Sequence, residues 1–421
     1  MTYEDFVSRI ENADTFERLD VLDALSMEAD EHVRAQAASR LLADDDPGVR
    51  EEAARLLETL ATEEAAALIV PYIASDNITV RNLAGEVLVK IGAPAVPALV
   101  PALNDAHHDV RKFAIDVLAL LPARQLAGQI AARLHDEDDN VAMAAVDALG
   151  DLGAVEYHDA LRALYDRQPL ARPSIVSALG AFGSEADLDF LEHALADEDP
   201  VVQYTAAEAL AQQHDPEVLE LLLRKIDQVN PMARSVVLHS IVGFYEANPD
   251  QAAMPASLKG YLFEMLDDFD RDYRCAAARG LRAFLDGETV DQLLAHAGQD
   301  DTLDLEMFKT LAAYPDIFHR IVENVEAERV VAPHAAGFVL GFLAQQIIPE
   351  HDVAEVARFL VGRFDELDAE TKVAAVGLCQ SLGHPALHAV IRAGVADPDT
   401  EVSAFAADAA YTLGLDTSQA A

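Results

Sequence analysis

The feature that most constrains this chain is a phase. Apolar residues recur at Val49, Val80, Val110, Val141, Ala171, Val202 and Ala233, at spacings of 31, 30, 31, 30, 31 and 31 residues. A fixed period of this length marks a stacked architecture, in which one small unit is repeated because it cannot bury its apolar face alone. Asp76 to Asp105 shows the unit. Val80, Leu83, Ala84, Val87, Leu88 and Ile91 fall on one face of a helix. After Gly92 a proline-started helix carries Val96, Leu99, Val100 and Leu103. Phe244 to Ser257 reads as an insertion that delays the next repeat position to Tyr273; later ones fall near Leu303, Ala332, Thr371 and Val402. Tyr3 to Ile10 and Phe16 to Leu25 read as a first helix pair.

Start and stop signals keep the same phase. Three residues before the repeat position stand Asp46, Asn77, His107, Asp138, Gln168, Asp199, Asn230, Asp270 and Asp399. Most of these can accept a hydrogen bond from a free N–H of the first helical turn. Pro47, Pro169, Pro200 and Pro231 follow at the first helical position, where a missing N–H costs nothing. Gly92, Gly150, Gly153, Gly180, Gly183, Gly383 and Gly414 read as stops.

On these residues a family resemblance can be stated. DPGVREEAARLLETL, SDNITVRNLAGEVLVKIGAPAVPALVPALND and DEDDNVAMAAVDALGDLG resemble HEAT repeats, most closely the short HEAT-like class of the phycobilisome-lyase type. The resemblance is strong over 30–240 and 370–414 and weaker over 244–365. It implies an all-α, armadillo-like solenoid of about 12–13 helical hairpins, with first helices on the convex side and second helices lining the concave side. The expected organisation is a regular array over 1–243, irregular repeats with the insertion over 244–365, repeats again over 366–414, and a tail over 415–421, all one continuous solenoid. Tetratricopeptide repeats are disfavoured by the short period and the missing Trp, ankyrin repeats by the missing TPLHxA.

Charge narrows the partners. Against 74 Asp and Glu stand 30 Lys and Arg, a formal net charge of −44. Such a chain does not suit nucleic acid, which is bound by basic residues that neutralise phosphates. Spread along the whole length, the acids point to a halophilic cytoplasmic protein, because concentrated salt screens their mutual repulsion. The rival reading is a surface for a basic partner. Cys275 and Cys379 are too few for a disulfide framework or a cysteine zinc site. The acidic start MTYEDFVSRIENAD is no signal peptide. The apolar run Val330 to Ile348 contains Pro333, His334, Gln345 and Gln346 and reads as a buried helix, not a membrane span.

Candidate functional positions come from the same phase. Arg50, Arg81, Arg111, Arg172, Arg234 and Arg274 follow the repeat position and are expected to reach an acidic turn residue of an adjacent unit. Two and six residues after the repeat position, the early units carry charged or polar pairs such as Glu51 and Arg55. The middle units carry Met143 with Asp147, Pro173 with Ser177, Tyr204 with Glu208 and Ser235 with His239, trading charge for small, apolar and aromatic groups, and Met143, Pro173, Ser177, Tyr204, Ser235 and His239 are the candidates. A less charged strip in so acidic a chain is the candidate partner-binding face, since Tyr and Met suit such sites.

No catalytic residue, cofactor site or metal site is assigned. His107 with His108, and His384 with His388, are spaced for a metal but fall at helix starts. The His-Glu dipeptides that hold iron in deoxyhypusine hydroxylase, another HEAT-like family, are absent. The expected function is a non-enzymatic scaffold or adaptor that binds a protein partner along the concave face. A signalling or taxis component is one partner class by analogy with HEAT-like proteins of salt-loving cells. The alternative is a lyase-like enzyme or accessory holding a bulky cofactor in the groove. The oligomeric state is left open.

Overall fold

Most repeat positions face inward. Val49, Val80, Val141, Ala171, Val202, Ala233, Leu303 and Val402 are all buried, and four residues on the chain is again closed to solvent at Ala53, Ala84, Ala114, Ala145, Ala206, Ala277, Ala375 and Ala406. Four further on stand Leu57, Leu88, Leu118, Leu149, Leu179 and Leu210. An alanine in the middle of this stripe brings neighbouring helices close; the leucine behind it fills the seam. Tyr273 and Thr371 are only half-buried, so the register is looser where the sequence pattern weakens.

The computed structural model describes residues 2–416 apart from 12, 29, 214, 251 and 252. Short turns join helix to helix, and no strand occurs among the described residues. Within each unit the helices form hairpins stacked on neighbouring hairpins, as an all-α solenoid requires. The chain divides into two units, Met1–Ala233 and Arg234–Ala421.

Second helices are continuous, as in Pro47–Leu60, Ile78–Ile91, His108–Ala119 and Asp139–Asp151. First helices are shorter and often broken. The chain from Ala93 to Asn104 passes through Ala93–Ala95, Val96–Leu99 and Val100–Asn104, alternately 3₁₀ and α, because Pro94, Pro97 and Pro101 each remove a backbone donor. Second helices start where the caps place them. Asp46 accepts from Gly48 and Val49, Asn77 from Thr79, Asp138 from Asn140 and Val141, Asp199 from Val201, and Asp399 from Glu401 and Val402. Gln168 makes no such bond: a side chain one methylene longer cannot fold back onto the first turn, and the helix opens as the 3₁₀ turn Pro169–Ala171.

Two of the expected stops are something else. Gly150 and Gly180 lie within helices, at points where a second helix touches its neighbour. A Cβ on Gly180 would stand 2.3 Å from the Ala209 Cβ, and one on Gly150 3.0 Å from Ala178. The stops are Gly153 and Gly183, both with positive φ.

The expected insertion begins as helix. Pro231–Ala247 runs 17 residues where Pro47–Leu60 has 14, so the insertion's first residues, Tyr245 to Ala247, lengthen a second helix. Ala332–Ala344 takes up the apolar run, with Ala335, Ala336, Val339 and Phe342 fully buried. Among the described residues no single helix is long and apolar enough to cross a membrane; the one bent pair that passes by composition, Ile78–Ile91 with Ala93–Asn104, turns by 119° as a repeat hairpin. Thr417 to Ala421, the end of the expected tail, lie outside the described residues.

The arginine column does two jobs. Arg50, Arg81, Arg111 and Arg274 donate to carbonyls at the end of the preceding helix: Asp44 and Asp45, Ser75, Asp105 and Ala106, and Asp268 and Phe269. Four of the six also reach an acid of the following repeat: Arg111 to Asp136 at 2.6 Å, Arg172 to Asp197 at 3.3 Å, Arg234 to Glu264 at 3.1 Å and Arg274 to Asp300 at 2.7 Å. Among the described residues Arg50 and Arg81 reach carbonyls and no carboxylate. Asp136 and Asp197 stand two residues before a cap and also accept the cap residue's own N–H, so one carboxylate ties a turn and takes a guanidinium. At Gln203 the rung is uncharged: its amide oxygen accepts from Asn230 N–H at 2.9 Å and from Asn230 Nδ2 at 2.8 Å.

Candidate protein-binding face

The middle second helices place the expected strip. In the first unit Met143, Pro173 and Tyr204 are half-buried and Ser177 is exposed. Beside Met143, desolvation raises the Asp147 carboxyl above its ordinary value, with a Ser174 hydrogen bond opposing it.

In the second unit the strip does not continue as expected. Ser235 is buried, with its hydroxyl 2.5 Å from Asp268 Oδ2. It is a packing residue because the acidic turn of the next repeat closes over it. His239 is exposed at its rim and meets the Tyr273 ring edge-on at 5.5 Å. Desolvation, then the charge of Arg279, lowers its pKa below that of an ordinary histidine.

A second column of the first unit was not anticipated. Leu170, Val201 and Met232 are 77%, 56% and 54% exposed. Each directly follows Pro169, Pro200 or Pro231, themselves exposed, one residue before the repeat position. Earlier repeats put Gly48, Thr79, Asp109 and Asn140 there. Leu170, Pro173 and Ser177 stand at i, i+3 and i+7 on one helix, and Val201 and Tyr204 at i and i+3 on the next, so the column continues the strip toward the helix starts. The starts are neighbours: Arg172 meets Asp197, and Asn230 Nδ2 donates to the Pro200 carbonyl at 3.3 Å. The signal was in the sequence as a proline–apolar pair in three consecutive repeats.

The charged end of the face also holds a groove. Second helices Ile78–Ile91 and His108–Ala119 enclose about 480 Å³ floored by Gly85, Val89, Phe113, Val117 and Leu120, with Glu86, Lys90 and Asp116 around it. Phe113 lies against Gly85, where a Cβ would come within 2.8 Å of its ring, and Leu120 is 69% exposed. Early repeats therefore carry apolar surface beneath charges that mask it in the sequence.

The chemistry-bearing candidates resolve locally. Cys275 and Cys379 are buried, and desolvation raises both thiols, that of Cys379 to about 12, which suits packing rather than nucleophilic attack. His107 Nδ1 accepts the Asp109 N–H at 3.2 Å and so caps a helix. His107, His108 and Asp109 cluster, all exposed. His384 Nδ1 caps the turn Pro385–Leu387 through Ala386 N–H, while His388 begins the helix beyond, so the two do not share a helix face.

Paired helices in register, with acid–arginine rungs between repeats, define an α-solenoid of helical hairpins. The HEAT repeats family matches residues 35–112, 96–175, 130–211 and 160–242. The uncharacterized phycocyanin operon protein Z of Pseudanabaena tenuis is 31% identical over 148 residues, covering 32% of this chain and 73% of that protein. The chain belongs to the HEAT-repeat family. Among solved structures, Kap121p is similar with a TM-score of 0.51 at 14% identity, over 98% of this chain and 52% of Kap121p. A charge-reversed mutant of Kap121p matches at 0.50 over the same shares. The chain thus spans about half the length of these structures, and at this identity the likeness is one of fold.

Proposed function

We propose that the chain is a non-enzymatic adaptor that holds a protein partner on the second-helix face of its first unit. The observation that carries this reading is apolar exposure where charge would be expected. Leu120, Leu170, Val201 and Met232 are each more than half exposed in a protein of net charge −44. Contiguous exposed apolar surface marks interaction sites. Tyr204 and Met143 add the residue types that interface centres favour. A signalling or taxis protein remains the partner class by analogy. The proposal includes adaptation to high salt, with the acids spread over the surface holding water and ions.

The test is a pull-down in molar KCl with the wild type and Tyr204→Asp. The wild type retains a discrete partner and the variant, equally helical by circular dichroism, loses it at least tenfold. The same partner retained by both contradicts the face assignment. A bound chromophore in native mass spectrometry, with no protein partner, favours the lyase-like alternative.

A further inference from the structure

The first helices of the second unit carry a cluster that the binding face leaves unused. His319 lies in Ile317–Glu326, Asp352 closes the 3₁₀ turn Glu350–Asp352, and Glu355 follows in Val353–Gly362. One ligand atom from each of His319, Asp352 and Glu355 lies within 4.8 Å of the other two. His319 Nε2 stands 3.2 Å from Glu355 Oε2, and His351 Nε2 3.5 Å from Asp352 Oδ1. His319, His351 and Asp352 line one cleft of about 610 Å³.

Asp352 makes this more than a crowd of surface charges. Its side chain is only 8% exposed, and no hydrogen bond reaches its carboxylate from the described residues. A carboxylate this far from solvent is normally held by a cation or a donor. Asp187 shows the ordinary solution. It closes the turn Glu185–Asp187, the same place in its own repeat, is fully buried, and its Oδ1 takes the Arg162 guanidinium at 2.9 Å beside the His158 ring at 3.4 Å, with Oδ2 left without a partner among the described residues. At Asp352 no guanidinium does this. The nearby Arg320 is held by Asp291 and Glu323, and Arg358 by Glu355 Oε1, which leaves Oε2 turned to His319. What approaches Asp352 is imidazole.

We propose that His319, Asp352 and Glu355, with His351 as fourth ligand, bind a divalent transition-metal ion of the zinc class. Two imidazoles and two carboxylates match zinc's preference for four nitrogen or oxygen ligands; calcium and magnesium take oxygen alone. Bonds of about 2.0 Å at tetrahedral angles set ligand atoms roughly 3.3 Å apart. The His319–Glu355 separation already meets that spacing, the Asp352 oxygen lies within 4.8 Å of both, and His351 Nε2 stands 3.5 Å from Asp352. The cluster His107, His108 and Asp109 has no comparable claim: all three are exposed and one ring nitrogen is spent on a cap.

The test is calorimetric titration of chelator-treated full-length protein with zinc chloride in molar KCl, with cobalt(II) absorbance as a second readout. The wild type binds one zinc and shows visible cobalt bands of tetrahedral strength. His319→Ala and Asp352→Asn each weaken zinc by more than the roughly 10–100-fold typical of losing an outer-shell group. A His107→Ala/His108→Ala double variant leaves the site unchanged. Zinc also raises the melting temperature of the wild type and not of Asp352→Asn, whose metal-free melt shows that it folds. No zinc bound by the wild type, binding unchanged in His319→Ala and Asp352→Asn, or binding lost only in the double variant each overturns the proposal. None of these results bears on the partner face of the first unit.

Discussion

Arg111→Ala destabilises the first unit by about 3–5 kcal/mol, because it leaves a buried carboxylate without its guanidinium. Arg111 and Asp136 are 6% and 3% exposed and meet through two bonds, Nε to Oδ2 at 3.0 Å and Nη2 to Oδ1 at 2.6 Å. A third nitrogen serves two carbonyls of the preceding turn. The residual Arg133 contact to Asp136, at 3.6 Å, is too long to replace this. Arg111→Lys recovers only part of the loss, since an ammonium cannot make the two-pronged contact. Urea melts in molar KCl measure both, because salt screens a buried pair weakly. Desolvation pushes the Asp136 carboxyl up, but the Arg111 bond and the Asp138 N–H outweigh it and hold the carboxyl below its ordinary value. The pair's contribution is therefore complete above the ordinary carboxylate pKa and is lost as pH falls through the depressed one. A cost below about 1 kcal/mol, typical of an exposed pair, contradicts this reading of the rung.

Withdrawing salt has the other large effect. At −44, transfer from 2 M to 0.1 M KCl lengthens the screening distance from about 3 Å or less to about 10 Å and lets surface carboxylates repel one another. We expect the melting transition to fall by roughly 10 °C or more, given that each kcal/mol moves a unit of 150–250 residues by about 2–4 °C. Sucrose, which stabilises by exclusion and does not screen, separates the two causes. If charge is responsible, sucrose at 0.1 M KCl does not restore the transition. A melt indifferent to salt contradicts the halophilic reading and favours acids placed for a basic partner.

The helical stacking was legible because burial has a period. Val49, Val80 and Val141 announce themselves by recurrence, and their helices begin where the aspartates and asparagines put them. What was not legible depends on who stands opposite. Ser235 reads as an outward polar residue until Asp268 of the next repeat closes on it. Gly150 and Gly180 read as stops until Ala178 and Ala209 are seen against them. Gln168 occupies a cap slot with a side chain of the wrong length. The binding face was half visible: Tyr204 and Met143 stood out by composition, whereas the Gly85–Phe113 groove is hidden among Glu86, Lys90 and Asp116. The Asp352 cluster draws on residues of two separate repeats that share no motif, and only the fold brings them together.

The most direct measurement for the adaptor reading is site-specific photo-crosslinking in cells grown at high salt. A benzophenone side chain replaces Val201 in one strain and Glu51, an exposed acid of an early second helix, in another. Illumination through position 201 gives one discrete, saturable adduct with a single protein, and position 51 gives none. Equal, diffuse labelling from both positions, or no adduct from position 201 with the protein present at normal level, contradicts a partner on this face.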